Sequence, residues 1–211
     1  MENFNCRGKE RRRLLVREYK IEPVAHLKLI NGQKKRSAAE DTITDQYYIF
    51  SYSSLKTGEK GTFICGTHVA KDFLFLLGKK PLPLFNPLHE DITRFNNKPH
   101  SPQSQSSSIQ HEKWNPLAKE CYNAIHLIIM AWNLSPGGAI WDILKDILKY
   151  YDREPFFFKI KSINTIVSHD FNHRTLTEIN DEFIKAEPRF IKYDFTLMKK
   201  ALLQENIKSY L

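Results

Sequence analysis

A chain of 211 residues is long enough for one large domain or two small ones, and long enough to bury a core. With 41% hydrophobic, 12% aromatic and 27% charged residues it has the composition of a folded protein. Its most apolar helical run, HLIIMAW from His126 to Trp132, is far shorter than the roughly 18 apolar residues that cross a bilayer.

The net charge is +8, and residues 1–36 hold 11 Lys/Arg against 4 Asp/Glu, so nearly all of the excess lies in the first sixth of the chain. The start, MENFNCRGKERRR, is basic without the following apolar run of a signal peptide. Two clusters dominate: Arg11-Arg12-Arg13 and Lys34-Lys35-Arg36, with Arg17, Lys20 and Lys28 between them. Arginine forks pair well with phosphate oxygens, and a localised basic segment is the footprint of a polyanion binder. Arg11, Arg12, Arg13, Arg17, Lys34, Lys35 and Arg36 are therefore the expected nucleic-acid contacts, with an acidic protein partner as the other reading of the same charge.

In chain order, Leu15–Ile21 and Val24–Ile30 alternate in polarity and predict strands, the second followed by an Asn31-Gly32 turn signal. QKKRSAAEDTITDQ is polar and predicts a loop. Tyr47–Tyr52 (YYIFSY) and Thr62–Cys65 predict two more strands across a polar turn with two glycines. Tyr48, Phe50 and Tyr52 share one strand face, a candidate stacking platform for bases if that face is open. The period then changes. Val69, Phe73, Leu76 and Leu77 fall on one helical face, with Thr67 as expected N-cap and Gly78 as the residue that ends the helix. PLPLFNPL, residues 81–88, has too many prolines for a helix or a central strand, and predicts an extended strap across the core surface. Residues 96–110, rich in serine and glutamine, predict a polar linker or mobile loop.

The second half predicts helices. Asn115-Pro116 looks like a cap and first position, and Leu117, Cys121, Ala124, Ile125, Ile128 and Trp132 form the stripe of the helix that follows. Ser135-Pro136-Gly137-Gly138 predicts a turn. Further helices are expected from Ala139 to Tyr151, from Glu154 to Ser168, from Thr175 or Thr177, and from Phe195 to Tyr210, the last with Leu197, Ala201 and Leu202 inward. No internal repeat is visible.

Four arrangements carry potential chemistry. Cys65-Gly66-Thr67-His68 offers half of a zinc site or a thiol beside a base. Cys121 and His126, the nominal other half, lie about 140° apart on a helix and do not grip one ion. The thiol reading lacks a third group to orient the base. His169-Asp170 resembles the metal-holding dipeptide of the HD phosphohydrolases; that resemblance implies an earlier His and a later Asp, positions His126 and Asp194 would fill. His169 and His173, four apart, are a second way to pair histidines. Glu18-Tyr19-Lys20 has the E-x-K form of many metal nucleases but no acidic partner. Cys65, His68, His169 and Asp170 are thus the candidate catalytic residues. No phosphate loop, GxSxG, HExxH, CxxC or GxGxxG occurs, and no cofactor or metal is called for.

The expected protein is α+β: an antiparallel N-terminal sheet of about four strands with one helix, then a helical C-terminal half. The divisions are 1–95, a polar linker or mobile loop at 96–112, and 113–211, with one core shared or two. Three widely spaced cysteines argue against a disulfide framework and suit a reducing compartment, so the chain is expected to be soluble and cytoplasmic. The sequence favours a non-enzymatic nucleic-acid binder, or a subunit of a nucleoprotein assembly, over a metal-assisted or thiol-based enzyme acting on a phosphate-containing substrate. A third reading is a protein-interaction subunit docking through its C-terminal helices.

Overall fold

The first element is a helix where the sequence predicts the start of a strand. KERRRLLVRE is built from good helix formers, and α1 (Lys9–Glu18) follows Gly8, whose φ of 88° turns the chain into it. Arg12 and Leu15, three apart, are its buried residues. The partial alternation after Leu15 belongs to two elements: the last turn of α1, then β1 (Tyr19–Lys28). A computed structural model describes residues 4–30, 32–88, 114–132 and 139–211. The predicted 96–112 linker and the Ser135–Gly138 turn lie outside these.

The polar stretch read as a loop carries a small hairpin, β2 (Lys35–Arg36) paired with β3 (Thr42–Ile43). Its turn is held by Ser37, whose Oγ accepts from the N–H groups of Ala39 (3.1 Å) and Asp41 (3.0 Å). The aromatic run becomes β4 (Gln46–Ser54), and β5 (Lys60–Gly66) pairs back on it. The main sheet is antiparallel in the order β1-β4-β5. The small hairpin is a separate two-stranded antiparallel sheet beside it, and a helical half follows, so the α+β class is as expected.

The register explains how the sheet is used. Between Pro23 and Ala25 a bulge shifts the pairing of β1 with β4. On one face lie Ile21, Tyr48, Phe50, Phe63 and Cys65, buried under α1 and α2 (Thr67–Leu76). The other face is divided. Ala25, Leu27, Tyr47 and Ile49 join the buried cluster formed by the C-terminal helices. Toward the far end the same face turns polar: Lys20 pairs with Ser53 and Ser53 with Lys60, while Glu22 pairs with Ser51 and Ser51 with Thr62. Directly paired residues share a face, so these six form a polar grid, two rows deep across three strands.

Helix α2 ends as the sequence predicts. Gly78 has φ 60°, Lys79 N–H donates to Leu74 O (2.9 Å) and Gly78 N–H to Phe75 O (3.1 Å), a left-handed C-terminal cap. Its N-cap is Gly66 rather than Thr67, which is already the first helical residue and makes no capping bond. The strap also forms. Phe85 exchanges backbone bonds with His26 O (2.8 Å) and Lys28 N–H (3.0 Å) along the outer edge of β1. On the opposite side of the sheet, Ala38 N–H donates to Ile64 O of β5 (2.7 Å).

The helices are α3 (Pro116–Trp132), α4 (Ala139–Lys149), α5 (Phe157–Ser168), α6 (Leu176–Ala186) and α7 (Thr196–Gln204). Asn115 Oδ1 accepts from Leu117 and Ala118 N–H (3.0 and 3.2 Å), capping α3 as expected. Thr175 caps α6 in a reciprocal box with Glu178. Helix α3 is buried on more than one stripe: Tyr122, His126, Leu127 and Ile129 join the expected positions. It is the central helix, touching α4, α5, α6 and α7. Helix α7 is shorter than predicted, because Asn206 takes φ 54°. Met198 and Leu202 point inward, and Leu197 is exposed. The last residues are pinned by buried Asn164, which donates to Lys208 O (2.9 Å) and accepts from Tyr210 N–H (2.7 Å). No described helix is long and apolar enough to cross a membrane.

Candidate functional site

The seven predicted basic contacts do not form one surface. Arg12 is 5% exposed and bound internally. Its Nη2 donates to Asp72 Oδ2 of α2 (2.7 Å) and its Nη1 to Cys6 O (3.0 Å), so it ties α1 to α2 and to the N-terminal segment. It is removed from the set of phosphate contacts, because leaving this position would strand Asp72 and the Cys6 carbonyl. Arg11 lies on the other side of α1, its Nε 3.4 Å from Asn5 O. Lys35 is half-buried with its ammonium over the Tyr47 ring (5.2 Å), and burial lowers its pKa. Lys34 and Arg36 are exposed on the small hairpin. The hairpin and α1 are linked through Cys6, whose N–H donates to Ala38 O (3.0 Å).

Arg13 and Arg17 remain, and a residue not singled out in the sequence joins them. Lys9, Arg13 and Arg17 are spaced four apart and all exposed, a stripe spanning about 80° of α1. Arg13 pairs with Glu10 (2.6 Å) at the surface, a contact worth little in water. Beside the stripe runs a groove of about 190 Å³ between α1 and α2, lined by Lys9, Arg12, Arg13, Asp72, Phe75 and Leu76. Phe75 is 87% exposed. The helical face predicted for α2 left Phe75 unassigned; its position outside the Val69–Phe73 stripe was the available signal.

Tyr48, Phe50 and Tyr52 do share a face, as the alternation implies, but it is covered. Tyr48 stacks on His26 (4.0 Å), Phe50 packs on Phe63 (5.3 Å), and Phe4 stacks on both Tyr52 (4.4 Å) and Phe63 (4.5 Å). The sheet therefore offers no open platform there for bases.

The catalytic candidates separate too. Cys65 is buried at the end of β5, and burial pushes its thiol pKa well up, opposite to what a nucleophile needs. His68 is exposed on α2. All three cysteines are free and buried, and burial pushes Cys6 up to about 11 and Cys121 to about 12. Native protein should resist a thiol reagent at pH 8 and release three equivalents only on unfolding; fast labelling of Cys65 in the native state would restore the thiol reading.

Asp170 is almost fully buried and already satisfied. It accepts from Arg174 Nε (3.0 Å) and Nη2 (2.9 Å), from Trp132 Nε1 (2.5 Å), and from the N–H groups of Asn172 (3.1 Å) and Arg174 (3.0 Å). The Arg174 bonds hold its carboxyl well below the usual range. Next to it, exposed His169 donates through Nδ1 to Thr165 O (2.7 Å). His173 sits at φ 55° in the turn, so it is not one helical turn from His169. His126, the outer histidine of the HD reading, is buried in α3, with Nδ1–H donating to Tyr122 O (2.8 Å). Among the described residues no group of three or more His, Cys, Asp or Glu side chains could hold a metal. Glu18 is the last residue of α1 and Lys20 lies in β1, so the E-x-K residues are not on one strand.

No curated protein and no solved structure matches the chain. One family model does, over residues 4–211. The protein belongs to that family, described as uncharacterised conserved protein UCP028583.

Proposed function

We propose that this chain is a nucleic-acid-binding protein that acts in the cytoplasm and engages phosphates through the Lys9, Arg13 and Arg17 stripe of α1. The observation that carries the reading is the pairing of that stripe with the exposed ring of Phe75 across the α1–α2 groove. Cations spaced along a helix follow a phosphate backbone, and an open aromatic ring gives an unpaired base a stacking surface. Rigid support favours it as well: the bridge from buried Arg12 to partly exposed Asp72 ties together the two helices that carry these groups. Three free, buried cysteines suit a reducing compartment.

The test is binding of a short single-stranded oligonucleotide across a salt series. Reversing Lys9, Arg13 and Arg17 to Glu should flatten the slope of log K against log salt by about 2, at roughly 0.7 for each phosphate no longer neutralised. Phe75→Ala should weaken binding about fivefold or more while leaving the slope unchanged, as expected for a stacking interaction. An unchanged slope in the triple variant sinks the reading.

A second reading, docking of a protein partner through the C-terminal helices, draws on Phe156 and Phe158. Both rings are exposed and lie nearly parallel at 6.1 Å, at the start of α5. A partner that copurifies with the wild type and is lost with Phe156→Ser and Phe158→Ser would favour it.

A further inference from the structure

The polar grid of the main sheet does not belong to the α1–α2 groove, since α1 and α2 pack on the opposite face. Helix α4 stands over this end of the sheet, and between them lies a groove of about 390 Å³. Its floor is the row Lys20, Ser53, Lys60 and the row Glu22, Ser51, Thr62. Its wall is α4, through Trp141, Asp142 and Lys145. The volume falls in the range of small-molecule sites.

Three features of this groove converge. First, Lys20 and Lys60 flank Ser53 on the two neighbouring strands, with backbones roughly 10 Å apart, twice the interstrand spacing. Two such side chains reach a single atom cluster over the central strand. Second, Glu22 gathers a third ammonium: Lys145 bonds its Oε2, and Lys20 lies 3.3 Å from its Oε1. Each ammonium has three donors, so both keep N–H groups for another acceptor. Lys60 makes no ion pair among the described residues. Third, the Ser51 and Ser53 hydroxyls make no side-chain hydrogen bond among the described residues, and both lie on the groove floor.

Three lysines around one groove, two of them gathered at Glu22 and the third across the floor beside the Ser51 and Ser53 hydroxyls, suit a compact oxyanion with several acceptor oxygens. Three cations face two carboxylates, Glu22 and Asp142, so the lining keeps a positive excess. A phosphate group matches this better than a carboxylate, because it presents oxygens to Lys20, Lys60 and Ser53 at once. We propose that this groove binds a phosphate group, seated over Ser53 between Lys20 and Lys60, with Lys145 on the facing wall. The phosphate is carried either by a small phosphorylated ligand or by a nucleic-acid strand. Trp141, on the α4 wall, has its indole N–H buried without an acceptor among the described residues.

The experiment is calorimetric titration of the full chain with pyrophosphate at low salt. Saturable binding is expected, weakened about tenfold or more by Lys60→Gln and by Lys20→Gln, the cost of losing a charged hydrogen bond. Ser53→Ala should weaken it several-fold. The Lys9, Arg13 and Arg17 reversal should leave it unchanged, which separates this site from the proposed nucleic-acid stripe. Melting curves confirm that each surface variant is folded. A short oligonucleotide that displaces pyrophosphate and loses affinity in Lys60→Gln assigns the phosphate to a strand; one that does neither assigns it to a small ligand. No saturable binding at millimolar pyrophosphate, or equal binding by wild type and both lysine variants, overturns the proposal.

Discussion

Replacing Asp170 with alanine is expected to lower the melting temperature by roughly 6–12 °C, from a loss of about 3 kcal/mol and the usual 2–4 °C per kcal/mol in a chain of this size. The reason is what it leaves behind. Arg174, Trp132 and two backbone N–H groups all donate to this one buried carboxylate. Arg174 can still turn to Glu182 (2.6 Å), which keeps the loss near the lower end for a broken buried pair. Asp170→Asn keeps the size and one acceptor oxygen, and should cost less than alanine. The pH dependence has a definite sign. The carboxyl is held below its unfolded value, so its contribution is complete above the ordinary carboxylate range near about 4 and fades as pH falls through the lowered value. Thermal melts of both variants at pH 7 check the order.

The second large effect comes from His126 and appears on mild acidification. Burial pushes its pKa down to about 3. The unfolded chain takes up a proton near pH 6.5 that the folded chain refuses, so stability falls as pH drops below that value. At pH 4.5 the loss reaches about 2–3 kcal/mol, at 1.36 kcal/mol per pH unit. His26, half-buried with its pKa also lowered by burial, acts in the same direction. Urea midpoints of wild type and His126→Gln should therefore converge as pH goes from 7.5 to 4.5. The variant starts lower, because the ring stacks on Phe85 (4.5 Å), but it loses less on acidification. Parallel curves would mean that His126 takes up its proton alike in the folded and the unfolded chain.

The parts legible in the sequence were those set by local chemistry. Asn115-Pro116 opens α3, Gly78 closes α2, and YYIFSY is a strand, each because one or two residue types admit few backbone alternatives. What was missed depends on tertiary partners. Alternation in Leu15–Ile21 ran across a helix end, and the buried Arg12 that fixes α1 finds its carboxylate sixty residues away in Asp72. Composition marks the arginine cluster as basic, but which arginine is spent inside is decided by helix phase. The same holds for Asp170: a His-Asp dipeptide gives no hint of Arg174 and Trp132 closing on it. The polar grid was invisible for a different reason. Lys20, Ser53 and Lys60 become neighbours only through strand register, and register across two turns and a bulge is not written in any one segment.

The strap through Phe85 and the segment at Ala38 have an effect on how the protein meets copies of itself. A sheet only three strands wide has two borders, and an uncovered border is a template on which another chain can add a strand. Here the β1 border carries the backbone of Phe85 and the β5 border carries that of Ala38. Each border is thus met from within at one point by a segment of irregular chain. These two irregular stretches oppose the addition of a further strand at His26–Lys28 and at Ile64, where their backbones take the bonds an incoming strand would need.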